Sequence, residues 1–125
     1  MNMTENKSAA LDFLHLVTSG KIDEAYEKHV EMNGKHHNMY FPAGFPALKQ
    51  AMIDNEKEFP NKTMTVNHAV SDGDMVAVYS HVVLKPGEME IAVVHLFRFS
   101  HGKIAEMWDV GVQIPKDVPN RDGVF

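Results

Sequence analysis

Apolar positions recur at helical spacing in the first half of the chain and at every second residue in the rest. Leu11, Leu14 and Val17, with Ala10 and Phe13, share one broad face and predict a helix from about Lys7 to Ser19. Gly20 suits its end, where a left-handed residue is wanted. Ile22, Ala25, Tyr26 and His29 stand at i, i+3, i+4 and i+7 and predict a short second helix, Ile22 to Val30. A polar stretch without a periodic face follows, Glu31 to Gly44, carrying His36, His37 and Asn38. Pro46 is placed for a first helical turn, and Leu48, Met52, Ile53 and Phe59 continue a third helix that Pro60 helps to stop.

From Lys62 the period becomes two. Met64, Val66, His68 and Val70 alternate with Thr63, Thr65, Asn67 and Ala69, as a strand requires. The turn at Ser71–Asp74 leads into Met75 to Leu84, the turn at Lys85–Glu88 into Met89 to Phe99, and Ser100-His101-Gly102 into Lys103 to about Gln113. Pro115 to Phe125 reads as a tail. Helices followed by a meander of four long strands make an α+β pattern. Long antiparallel strands curl, so the expected architecture is a half-open cone with a pocket between helices and sheet, the kind of concave mouth that ligands favour. No repeat or linker divides the chain, and residues 1–125 are expected to form one domain.

Composition narrows the function. The net charge is −5 with neutral histidines, and lysines and arginines are scattered, so no nucleic-acid footprint is present. No apolar run reaches the ~20 residues of a spanning helix, and the N-terminal segment lacks the basic start and apolar stretch of a signal peptide. There are no cysteines, which removes disulfides and thiolate chemistry and fits a cytoplasmic location. Eight histidines are the chemical hint, yet their spacing matches no metal motif, so no metal is expected.

The segment Ile91-Ala-Val-Val-His-Leu-Phe-Arg-Phe-Ser-His-Gly-Lys-Ile-Ala-Glu-Met-Trp-Asp109-Val, together with His37-Asn38, Gly73-Asp74-Met-Val-Ala-Val and Phe125, resembles the SnoaL-like polyketide cyclases of the nuclear transport factor 2-like superfamily. The resemblance implies the cystatin-like cone, with N-terminal helices packed on a curved antiparallel sheet. It also implies ring closure by intramolecular aldol condensation, with an aspartate as general acid and base and no metal or cofactor. By position that aspartate is Asp109, and a second polar position of the cyclases falls on His95. Where the cyclases have His-Trp-Asp this chain has Met107-Trp108-Asp109, which questions polyketide cyclisation itself but leaves a proton-transfer site.

The residues support this independently. Alternation places Ala105, Met107, Asp109 and Gly111 on one strand face, where a carboxylate among apolar groups is desolvated and brought toward proton exchange. A salt bridge to Arg98 or Lys103 is the structural alternative. His95 shares a face with Val93, Phe97 and Phe99, and is either a partner of Asp109 or a core histidine bonded to backbone. His37 is expected to point inward and His36 into solvent. Asn38, Tyr79, His81, Phe97 and Met107 complete the candidate ligand contacts, with Tyr79 and His81 also placed to face a dimer surface. The expected partners are a small hydrophobic or aromatic carbonyl ligand and a second copy of the chain, meeting through the outer sheet face that carries Trp108. The leading expectation is a cofactor-free cyclase, isomerase or aldol-type enzyme. A non-catalytic binding or dimerisation module, and a small hydrolase or dehydratase, are the alternatives.

Overall fold

The computed structural model describes residues 2–125. Three helices, α1 (Met3–Thr18), α2 (Ile22–His29) and α3 (Phe45–Glu58), pack on one sheet of five strands. The strands are β1 (Val30–His37), β2 (Thr63–Asp72), β3 (Met75–Lys85), β4 (Met89–Ser100) and β5 (Lys103–Gln113), in the order β1-β5-β4-β3-β2. The last four form the expected antiparallel meander, whereas β1 joins its edge in parallel with β5, so the sheet is mixed. None of the described helices is long and apolar enough to cross a membrane.

α1 begins earlier than its apolar face predicts. Asn2 caps it, accepting from Glu5 N at 2.8 Å while the Glu5 carboxylate reaches back to Asn2 N, so a capping box fixes the start. Gly20 has φ 82° just past the helix. All four predicted apolar-face residues of α2 are buried. Phe13, Tyr26, Phe45 and Phe97 then link the helices to β4 through edge-to-face contacts of 5.5–6.3 Å, the centre of the core.

The expected loop from Glu31 to Gly44 is half strand. β1 is polar because it lies at the sheet edge, where its pairing with β5 rather than apolar alternation holds it. Gly34 makes the approach possible: a Cβ there would sit 2.1 Å from the Ala105 carbonyl oxygen and 2.8 Å from the Phe45 ring. Two other irregularities shift side chains from their expected faces. A bulge between Val66 and His68 turns His68 and Val70 outward and brings Ala69 in. Another, opposite Arg98 and Phe99, gives the core Ile104 in place of Ala105.

Gly34→Ala is therefore expected to cost at least about 3 kcal/mol, the range of severe overpacking, and to lower the unfolding midpoint by roughly 10 °C. Thermal denaturation followed by circular dichroism checks this.

Candidate functional site

The inner face of the sheet is a ladder of rungs, each read across the paired strands. Ile104 and Phe99 form the lowest, and Met107, Phe97 and Val76, the next, are fully buried. Above them lie Asp109, His95 and Val78, then Gly111, Val93 and Ser80, then Gln113, Ile91 and Val82. The upper three rungs face a cavity of about 430 Å³ closed by α1, α3 and the segment after β1. Asp109 and His95 are direct cross-strand partners and both line it.

Asp109 is held from outside the meander. The Asn38 amide donates to both carboxylate oxygens, at 2.9 and 3.0 Å, and its own oxygen accepts from Tyr40 N at 2.7 Å. Neither Arg98 nor Lys103 pairs with Asp109. Arg98 bonds Glu106 on the outer face, and Lys103 donates to the Lys28 and Glu27 carbonyls at the end of α2. Tyr26, which the sequence assigns only to packing, lies close enough that the Asp109 charge adds to burial in pushing its phenol up. Its hydroxyl donates to Met52 Sδ at 3.1 Å.

His95 is buried, its ring parallel to Phe97 with centroids 5.8 Å apart. Its Nδ1 has no hydrogen-bond partner among the described residues. Burial pushes its pKa below the usual histidine value of 6.5 and outweighs the pull of Asp109 in the other direction. The group beside the carboxylate is accordingly a neutral imidazole at neutral pH.

Five candidate ligand contacts lie elsewhere. His37 pairs with Trp108 on the outer face, stacks on it at 5.0 Å and donates to Glu106 at 2.6 Å. That bond, followed by Arg98, holds the Glu106 carboxyl below its usual range. It is His36 that turns inward, buried against Phe45 and donating to the Pro42 carbonyl at 2.7 Å. Alternation along an extended strand sends His36 and Asn38 in and His37 out, which reverses the expectation for the two histidines and keeps it for Asn38. Tyr79 and His81 also face outward, where Tyr79 donates to the Val124 carbonyl and Phe125 stacks on His81 at 4.6 Å. Phe97 and Met107 point inward but occupy the rung below the cavity, so they pack rather than bind.

The sequence reading missed the side of the cavity remote from Asp109. Thr18, Asn55 and Lys62 line it there, around a wall that includes Met52 and Met64. Only the general signal of an adaptable methionine lining pointed that way. No group of three or more metal-ligating side chains is present among the described residues.

Comparison with known proteins gives a consistent picture. The family model described as SnoaL-like polyketide cyclase matches residues 8–111. No curated protein matches the chain. Among solved structures, AclR from Streptomyces galilaeus, provisionally described as a hydroxylase, is 22% identical with a TM-score of 0.78, over 89% of this chain and 91% of its own. A protein of Jannaschia sp. CCS1, provisionally described as a SnoaL-like polyketide cyclase, is 16% identical with a TM-score of 0.73, over 87% and 86%. One from Kribbella flavida, provisionally described as a ketosteroid isomerase, is 14% identical with a TM-score of 0.74, over 96% and 87%. At these identities the likeness is one of fold.

The depressed basicity of His95 has a measurable consequence. The unfolded chain takes up a proton near pH 6.5 that the folded site resists, so His95 subtracts stability as pH falls through and below that value. His95→Gln should remove this contribution: the stability of the variant relative to wild type should rise between pH 7 and pH 5. Urea unfolding at several pH values measures it, and a constant difference would contradict a neutral buried imidazole.

Proposed function

This chain belongs to the SnoaL-like polyketide cyclase family, and from that premise we propose that it is an acid–base enzyme, needing no cofactor, that acts next to the carbonyl of a small apolar substrate. The observation that carries the reading is the Asp109–His95 pair facing the cavity, with Asn38 fixing the carboxylate. Asp109 takes the proton from the carbon beside the carbonyl. Two bonds from Asn38 hold the carboxylate in one orientation without neutralising it, because the donor is an uncharged amide. Neutral His95 offers an N–H to the oxygen that becomes an enolate, the role a histidine of lowered basicity suits. Where the substrate has a β,γ double bond, the resulting dienolate takes the proton at its γ carbon, which is isomerisation. Otherwise the enolate carbon attacks a second carbonyl of the same molecule, whose oxygen takes the proton, which is aldol ring closure. In both cases Asp109 returns the proton it took.

The loss of the family histidine at Met107 does not remove a group from this cavity, since that position lies on the closed rung beneath it. Asp109→Asn should lower turnover of an accepted carbonyl substrate by roughly 10²–10⁴ while the protein remains folded. A folded Asp109→Asn protein with wild-type turnover refutes the assignment. Unaltered ligand affinity in a wild type that turns nothing over favours the binding-module alternative.

A second copy of the chain is the proposed partner of the outer face. Val94 and Val110 are direct cross-strand neighbours there, and Val94, Val110 and Val112 are 36%, 50% and 65% exposed beside half-buried Trp108. Light scattering should give a dimer at micromolar concentration, and Val110→Asp should shift it to monomer. A wild-type monomer at those concentrations removes the proposal.

A further inference from the structure

The cavity has a polar group at each side, and only one of them belongs to the Asp109 site. Asp109 and Asn38 lie on the β5 and β1 side. Lys62 directly precedes β2, at the other edge of the sheet, with β4 and β3 between. Three strand spacings separate the two sides, roughly 14 Å. The wall between them is apolar, built from residues such as Leu14, Met52, Val82 and Val93.

Lys62 is unusual for a surface-derived lysine. Its side chain is only 8% exposed and its ammonium is paired with Glu56, itself 24% exposed. An ammonium carries three N–H groups, and the bond to Glu56 uses one. Among the described residues the ammonium makes no other hydrogen bond, although it lines the cavity. Asn55, half-buried one helical residue before Glu56, also lines the cavity, and its side-chain amide makes no hydrogen bond among the described residues. Thr18 is already satisfied by the Leu14 carbonyl at 2.9 Å. Donors that line an apolar cavity with hydrogen-bonding capacity to spare are placed to meet an acceptor carried by whatever fills it, because a filled cavity would otherwise leave them unpaired.

Charge decides which acceptor. Glu56 offsets the Lys62 charge, and the remaining titratable residues lining the cavity are Asp109, His95 and the Tyr40 phenol. An anionic end group at Lys62 would meet a cation whose charge is already offset, with the Glu56 carboxylate beside it, so a neutral carbonyl, ester or hydroxyl is the better fit. We propose that Lys62 and Asn55 form a second binding pole that takes a neutral hydrogen-bond acceptor at the far end of an elongated apolar substrate. The substrate class is thus a molecule with the reacting carbonyl at one end and a second oxygen function at the other. The choice of the reacting end rests on the reading of Asp109 as the base; the second pole itself does not.

Calorimetric titration with three rigid probes tests this without turnover: 2-acetylnaphthalene, methyl 6-acetyl-2-naphthoate and the 6-acetyl-2-naphthoate anion. Wild type should bind the methyl ester about tenfold more tightly than the parent ketone, the scale of one hydrogen bond to a charged donor, and no less tightly than the anion. In Lys62→Met/Glu56→Gln, which removes both charges of the pair together, the preference for the ester should vanish while affinity for 2-acetylnaphthalene stays. Asn55→Ala, a change at a half-buried helix position, should reduce the preference and serves if the double variant does not fold. Equal affinities for ester and ketone in wild type overturn the proposal, as does a preference that survives both variants. An anion bound more tightly than the ester overturns its neutral-acceptor part. Should Asp109→Asn retain full turnover, the catalytic assignment fails, and the ester preference is still decided by the titrations.

Discussion

The parallel pairing of β1 with β5 is the constraint on which the site depends. A carboxylate on the last strand of a meander has a meander neighbour on one side only, and here that cross-strand neighbour is an imidazole. The group that orients Asp109 comes from the chain just beyond β1, and it arrives there because His36 and His37 are in register with Met107 and Trp108. One residue of slip would send Asn38 to the outer face and His37 into the cavity. The approach requires Gly34, since backbone and the Phe45 ring occupy the space a side chain would fill. Folding and chemistry are therefore joined at an edge strand whose residues are mostly polar.

Neutrality beside the carboxylate follows from burial rather than from any single bond. His95 has apolar residues above and below on its strand face and an aromatic ring stacked against it, so charging it is unfavourable even with Asp109 next to it. On the outer face, His37 and His81 each hydrogen-bond a glutamate near the surface. On the sheet, His36 and His95 are thus inward rings packed against phenylalanines, whereas His37 and His81 are outward rings paired with carboxylates.

Much of this was legible beforehand, for identifiable reasons. The three helices and four meander strands carry strong periodicities, and alternation alone puts Asp109 and His95 on inward faces of neighbouring strands. Their direct pairing needed the register, which hairpin turns and a bulge set. β1 was not legible because an edge strand stabilised by its partner shows no apolar alternation; its pattern of burial is irregular over its whole length. The inversion of His36 and His37 follows from that single omission. Tyr79 and His81 were placed on one strand face correctly as a pair, but which face that was depended on the Val76, Val78 and Ser80 positions being the buried set. Lys62 gave no signal at all, since a lysine before a strand is ordinarily solvated.

The depth of the cavity is written into β5. Going up the strand's inward face, side chains run Ile104, Met107, Asp109, Gly111. The first two fill the space under the helices completely, the third is the carboxylate, and the fourth has no side chain. A Cβ at Gly111 would lie 3.2 Å from Ile91 Cγ2, and anything larger would have to project into the cavity it lines. Open volume therefore begins at the level of the carboxylate and not below it. The Met107–Phe97 floor closes the cavity directly beneath Asp109. The methionines on the wall adapt to the shape of what lies above, whereas the polar groups at either side dictate which way round it lies. Tolerance of shape combined with strictness about orientation is what a proton-transfer site needs when the bond to be broken is one of many similar C–H bonds.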